Sequence, residues 1–210
     1  MGTMTSANPP PSVTDVSRAW GLVVAGYSIV AVALVAFLTI NGASGIPDAA
    51  TIGTAVLVVI GFLLPIAGML QLRRRLGPFE RGARYGYAMQ AIGLLGLLIG
   101  VVLVVEVAIL SGYFLSTALI AASGVSAIAG AVLLRGHYGS PQAASSRVAY
   151  LILGTLLLFV GVGIIVGSDI AYEYWISQVE QTVYVDMGTT VSACGCVLAA
   201  YSFFVLHNRN

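Results

Sequence analysis

The sequence predicts an all-α polytopic membrane protein, a bundle of six transmembrane helices, and three observations carry that prediction. Hydrophobic residues make up 59% of the 210 positions and charged residues 8%, with a mean hydropathy of +0.98, far outside soluble globular usage. Six apolar runs reach the roughly 20 residues that a helix needs to cross about 30 Å of hydrocarbon. Basic residues border every second connection between those runs and are missing from the others, which is the asymmetry that orients membrane helices. The partner this composition implies is the lipid bilayer, and nucleic acid is excluded as a partner.

Taken in order, residues 1–17, MGTMTSANPPPSVTDVS, are polar, and Pro9, Pro10 and Pro11 predict an extended or disordered cytoplasmic lead. No basic residue precedes Arg18, so a cleavable signal peptide is not expected. The transmembrane domain spans residues 18–207, with crossings at 20–40, 49–72, 85–110, 113–134, 148–167 and 183–206. Only Ser111 and Gly112 separate the third crossing from the fourth, which implies a tight turn or a helix end at the outer surface. Between the fifth and sixth, Tyr172, Trp175, Ile176, Val179 and Val183 recur at helical spacing opposite Asp169, Glu173, Ser177 and Glu180. That pattern predicts an amphipathic helix over 169–182 that lies on the outer surface or runs up as an extension of the fifth crossing, with its acidic side solvated.

Charge sets the topology. Arg73, Arg74, Arg75, Arg81 and Arg84 sit between the second and third runs, and Arg135, His137 and Arg147 between the fourth and fifth. Arg18 precedes the first run, and His207 and Arg209 follow the last. The alternate connections hold only acidic charges, Asp48 in one and Asp169, Glu173, Glu180 and Asp186 in another. Both termini are therefore expected in the cytoplasm. All nine basic side chains are arginine, which reads as a GC-rich prokaryotic genome and so a prokaryotic plasma membrane. The lack of lysine excludes a retinal Schiff base. Pro11 before Arg18, Pro78 before Arg84 and Pro141 before Arg147, with the span ends LQLRRRLGP, VLLRGHYGSP and FFVLHNRN, suggest three pseudo-repeated two-helix hairpins.

Ionisable residues at hydrocarbon depth mark function in membrane proteins, and Glu106 is the one candidate. A helix starting at Arg84 has risen about 33 Å by that point, which places Glu106 at the outer interface. Gln90, one to two turns inside, suits an interhelical hydrogen bond or a pore lining. Pro65 removes the hydrogen bond to the carbonyl of Gly61 and predicts a kink in the second crossing. Gly96 with Gly100, Ser126 with Gly130, Gly163 with Gly167, and Gly195 with Ala199 allow close helix approach or self-association. His137 and His207 both sit at the cytoplasmic ends of spans, so neither a haem nor a histidine metal centre is expected. Cys194 and Cys196, two apart, face opposite ways on a helix and cannot form a metal pair. No catalytic residue, cofactor or metal site is expected.

Two stretches resemble known families. Ala121 to Pro141, AASGVSAIAGAVLLRGHYGSP, resembles the rhomboid protease segment around its G-x-S-G serine. The resemblance puts Ser123 at the nucleophile position and Gly124 after it. Ala121 replaces the family's first glycine and the sixth run has no histidine base, so it implies an inactive relative. Asn8-Pro9-Pro10-Pro11, and Ala67-Gly68 ahead of Arg73 and Arg74, resemble the acetate uptake family, which implies an oligomeric channel for small monocarboxylates. Three functions are thus in play. The first is a structural or accessory subunit of a membrane assembly, in a homo-oligomer or with other membrane subunits. The second is an oligomeric passive channel for a small neutral or weakly acidic solute. The third is an inactive rhomboid-like protein.

Overall fold

A computed structural model describes residues 13–41, 48–77, 80–106, 110–138 and 144–207 of the chain. The described residues form six helices and no strand: α1 (Val13–Asn41), α2 (Asp48–Arg75), α3 (Arg81–Glu106), α4 (Leu110–Tyr138), α5 (Ala144–Tyr174) and α6 (Gln178–His207). All six are long and apolar enough to cross a membrane. In hydrocarbon a helix satisfies every backbone donor within its own segment, so the apolar runs fold this way throughout. The protein is an all-α, multi-pass membrane bundle.

Three boundaries differ from the sequence expectation. The lead does not stay extended to residue 17: α1 begins at Val13, two residues after Pro11. The break between the third and fourth crossings does not fall at Ser111 and Gly112, both of which lie in the first turn of α4, where small residues cost little helix stability. The stretch 169–182 is not one amphipathic helix. Its first half continues α5 to Tyr174 and its second half opens α6 at Gln178. A capping box makes the break: Ser177 N and Oγ each donate to Glu180 Oε2 at 2.8 Å, and Glu180 N donates back to Ser177 Oγ at 3.4 Å.

The helices pair most closely as α1 with α2, α3 with α4, and α5 with α6. The pairs join through α2 against α3, α4 against α5, and α6 against α1, which closes a ring. It is flattened, since α3 also touches α5 across the middle while α4 stays on the rim. One end gathers Arg18, Arg73, Arg74, Arg75, Arg81, Arg84 and Arg135, and the start of α5 brings Arg147 to it. Contacts across this end include Ser17 Oγ at 3.5 Å from His207 Nε2 and Glu80 Oε1 at 3.6 Å from His137 Nε2. Asp169, Glu180 and Asp186 lie at the opposite, acidic end, where α5 turns into α6.

Each hairpin is closed by the same seam. Gly68 faces Ala19 O and Val23 N; Gly130 faces Gly86 O and Gln90 N; Gly195 faces Gly154 O and Leu158 N. Two turns further on, Gly26 meets Gly61 O, Gly93 meets Ser123 O, and Gly161 meets Gly188 O. Small residues thus recur seven apart on all six helices, the spacing that keeps one face of each on its antiparallel partner. The seam also corrects the register of the repeat. Arg18, Arg84 and Arg147 stand one, two and seven residues before the equivalent Ala19, Gly86 and Gly154, so the leading arginines are not equivalent positions. They are placed by the membrane surface, whereas the glycines are placed by helix contact.

Candidate functional site

The half of the ring nearest the arginine end is filled by aromatic rings. Trp20, Tyr27, Tyr87 and Phe203 are at most 2% exposed. Trp20 contacts Tyr87, Tyr138 and Phe203 at centroid distances of 6.2, 6.4 and 5.8 Å and stacks on His207 at 6.2 Å. Tyr27 stacks on Phe203 at 6.0 Å. The Tyr87 and Tyr138 hydroxyls lie 2.7 Å apart and satisfy one another. Rings from α1, α3, α4 and α6 thereby pack against one another across the bundle.

Toward the acidic end the helices part around a vestibule. Its deeper portion, about 190 Å³, is lined by Leu34, Val58, Phe62, Leu97, Leu98, Val101, Leu158, Val162, Ile165, Val166, Asp169 and Ser192. A wider portion of about 430 Å³ shares Leu34, Val58, Leu98, Val101 and Ile165 with it and adds Phe37, Val59, Val102, Val185 and Thr189. Val59 and Val102, 36% and 48% exposed, form its lips on α2 and α3. The wall is aliphatic, and its hydroxyls are turned away: Thr54 donates to Ala50 O at 2.9 Å, Thr189 to Val185 O at 2.7 Å and Ser192 to Leu158 O at 3.4 Å. Asp169 is the one ionisable residue among the described lining residues, and its Oδ1 accepts from Gln181 Nε2 at 2.9 Å.

The residues singled out from sequence do not converge on this space. Gln90 is fully buried on α3, its Nε2 donating to Ala127 O at 2.7 Å, and its Oε1 has no partner. It bridges α3 to α4. Pro65 is buried at the α1–α2 seam with its ring against Gly26, and α2 runs helical through it from Asp48 to Arg75. Glu106 is the last residue of α3, and its side chain lies outside the described residues. Ser123 is 5% exposed and donates to Leu119 O at 2.6 Å, with Gly96 packed over it. Asn8 to Pro11 fall outside the described residues, and Gly68 of the other resemblance serves the seam.

Among the small-residue pairs, Gly96, Gly100, Gly130 and Gly195 are held in seams, while Gly163 and Gly167 face open space on the lipid side of α5. Cys194 is exposed and Cys196 buried, both as free thiols, in keeping with opposite faces. Sequence reasoning missed Asp169 as a lining residue because its neighbours alternate with apolar side chains in a way that also suits a solvated face. The signal that marks it is its place directly after Gly167 and Ser168, at the end of an unbroken apolar run.

Fold and site together define a multi-pass membrane protein sealed at its arginine end and hollowed, with an aliphatic wall, at its acidic end. No family model, curated protein or solved structure matches the chain.

Proposed function

We propose that the protein is a non-catalytic integral membrane protein that serves as a structural or accessory subunit of a membrane assembly. It sits in the plasma membrane of a prokaryote, with the arginine end and both termini cytoplasmic, as the bias of basic residues implies. The observation that carries the reading is the aromatic seal around Trp20, since a closed, glycine-stapled bundle suits a rigid scaffold better than a conduit. Open Gly163 and Gly167 leave α5 a surface that another membrane helix can approach closely.

The test is native mass spectrometry of the chain extracted from its own membranes in mild detergent. A second copy or another subunit should accompany it at fixed stoichiometry, and Gly163→Leu with Gly167→Leu should release that companion. A wild-type chain that runs as a bare monomer would overturn the reading. The vestibule favours a second function, an oligomeric passive facilitator for a small neutral or weakly acidic solute. That role requires Trp20 to leave the axis.

A further inference from the structure

We propose that the vestibule is a lipid site. It takes one hydrocarbon chain of a membrane lipid from the leaflet at the acidic end, and it prefers head groups that donate a hydrogen bond, a hydroxyl or an amine, over anionic ones. This goes beyond the accessory role and does not depend on it.

Val59 and Val102, at the mouth, are exposed on membrane-spanning segments, so the vestibule opens between α2 and α3 into hydrocarbon rather than water. The helices there belong to different hairpins, and no glycine seam draws them together.

On α5 the wall runs from Leu158 to Asp169, a rise of about 16 Å, which suits an extended chain better than a compact solute. Aliphatic residues from five helices line it, and the hydroxyls of Thr54, Thr189 and Ser192 are spent on backbone carbonyls. A sugar or an amino acid placed there would lose its hydration without replacement. A hydrocarbon chain loses nothing.

Asp169 lies at the acidic end of the deeper portion with one oxygen held by Gln181, and Glu180 and Asp186 share its end of the bundle. The described arginines all lie at the other end. A phosphate or carboxylate head would meet only like charge here, whereas a hydroxyl or amine can donate to the Asp169 carboxylate.

The experiment uses the full chain in phosphatidylcholine vesicles doped with one of three photoactivatable long-chain probes, an alcohol, an amine or a carboxylic acid, each with a mid-chain diazirine. Adducts are mapped by peptide mass spectrometry. They are expected to concentrate on α2, α3 and α5 around Val58, Val101 and Ile165, with the alcohol and amine exceeding the acid several-fold. Excess unlabelled alcohol should compete saturably. Val58→Trp should cut these adducts several-fold, whereas Val125→Trp, on the open face of α4, should leave them unchanged. Adducts spread over exposed positions such as Leu115 and Val125, or unaffected by unlabelled alcohol, would show ordinary lipid contact and overturn the site. Equal labelling by acid and alcohol would overturn the head-group preference. If Val58→Trp fails to fold, the wild-type adduct map and the competition still decide.

Discussion

Trp20 of α1 and Tyr87 of α3 meet edge to face, 6.2 Å between centroids and 82° between planes, although their helices are not neighbours in the ring. Only a large side chain placed where the bundle is narrow reaches across it, and Trp20 does so while touching rings from α4 and α6 as well. The rigidity of the arginine end therefore rests heavily on one residue.

Replacing Trp20 with alanine is expected to destabilise the bundle by about 3–5 kcal/mol, the usual cost of removing a buried aromatic. Thermal unfolding in detergent, followed by circular dichroism, checks this. Trp20→Phe should recover a large part of the loss, because a smaller ring still lies on Phe203.

The seam gives a sharper contrast. A methyl group at Gly93 would sit 2.7 Å from Ser123 O and 2.9 Å from Ala127 N, and one at Gly161 would press on Ser192 and Gly188. Gly93→Ala and Gly161→Ala should each cost about 1–3 kcal/mol by overpacking. Gly163→Ala, with nothing nearby, should be neutral or stabilising by up to about 1 kcal/mol through helix propensity. Unfolding midpoints of the three variants, measured side by side, provide the check.

Gln90 occupies the seam position that Val23 and Leu158 fill in the other hairpins, and its Oε1 is buried without a partner. An unsatisfied buried acceptor costs about 1–3 kcal/mol. Gln90→Leu should therefore leave stability within about 1 kcal/mol of wild type, since it removes both a bond and an orphan. Gln90→Ala should lose about 2–3 kcal/mol to the cavity it opens. The same unfolding assay separates the two.

Six spans and their alternation of charge were legible in the sequence because hydrocarbon thickness and arginine placement act on whole segments. The turn between α5 and α6 was legible in principle, as the Ser177 to Glu180 capping box is local, but the stronger amphipathic pattern of 169–182 concealed it. The seams were harder to see. Among 25 glycines, only three-dimensional contact distinguishes Gly161, which touches α6, from Gly163, which touches nothing. Convergence of Trp20, Tyr87, Tyr138 and Phe203 on one axis likewise depends on how the ring closes, which no local pattern encodes.

Topology is tested by thiol labelling in a background of Cys194→Ala and Cys196→Ala. With a membrane-impermeant maleimide on intact cells, Glu180→Cys should react and Arg74→Cys should stay protected until the cells are opened. Both positions are exposed in the bundle, so the difference reports the membrane alone, and the reverse pattern would invert the assignment of sides.

The aromatic rings around Trp20 should close the bundle from its arginine end to the floor of the vestibule. Stopped-flow light scattering on proteoliposomes loaded with glycerol, urea or acetic acid provides the test. Wild-type vesicles should relax at the rate of protein-free vesicles for every solute. A relaxation rate that rises in proportion to the amount of protein would contradict the seal and favour the facilitator.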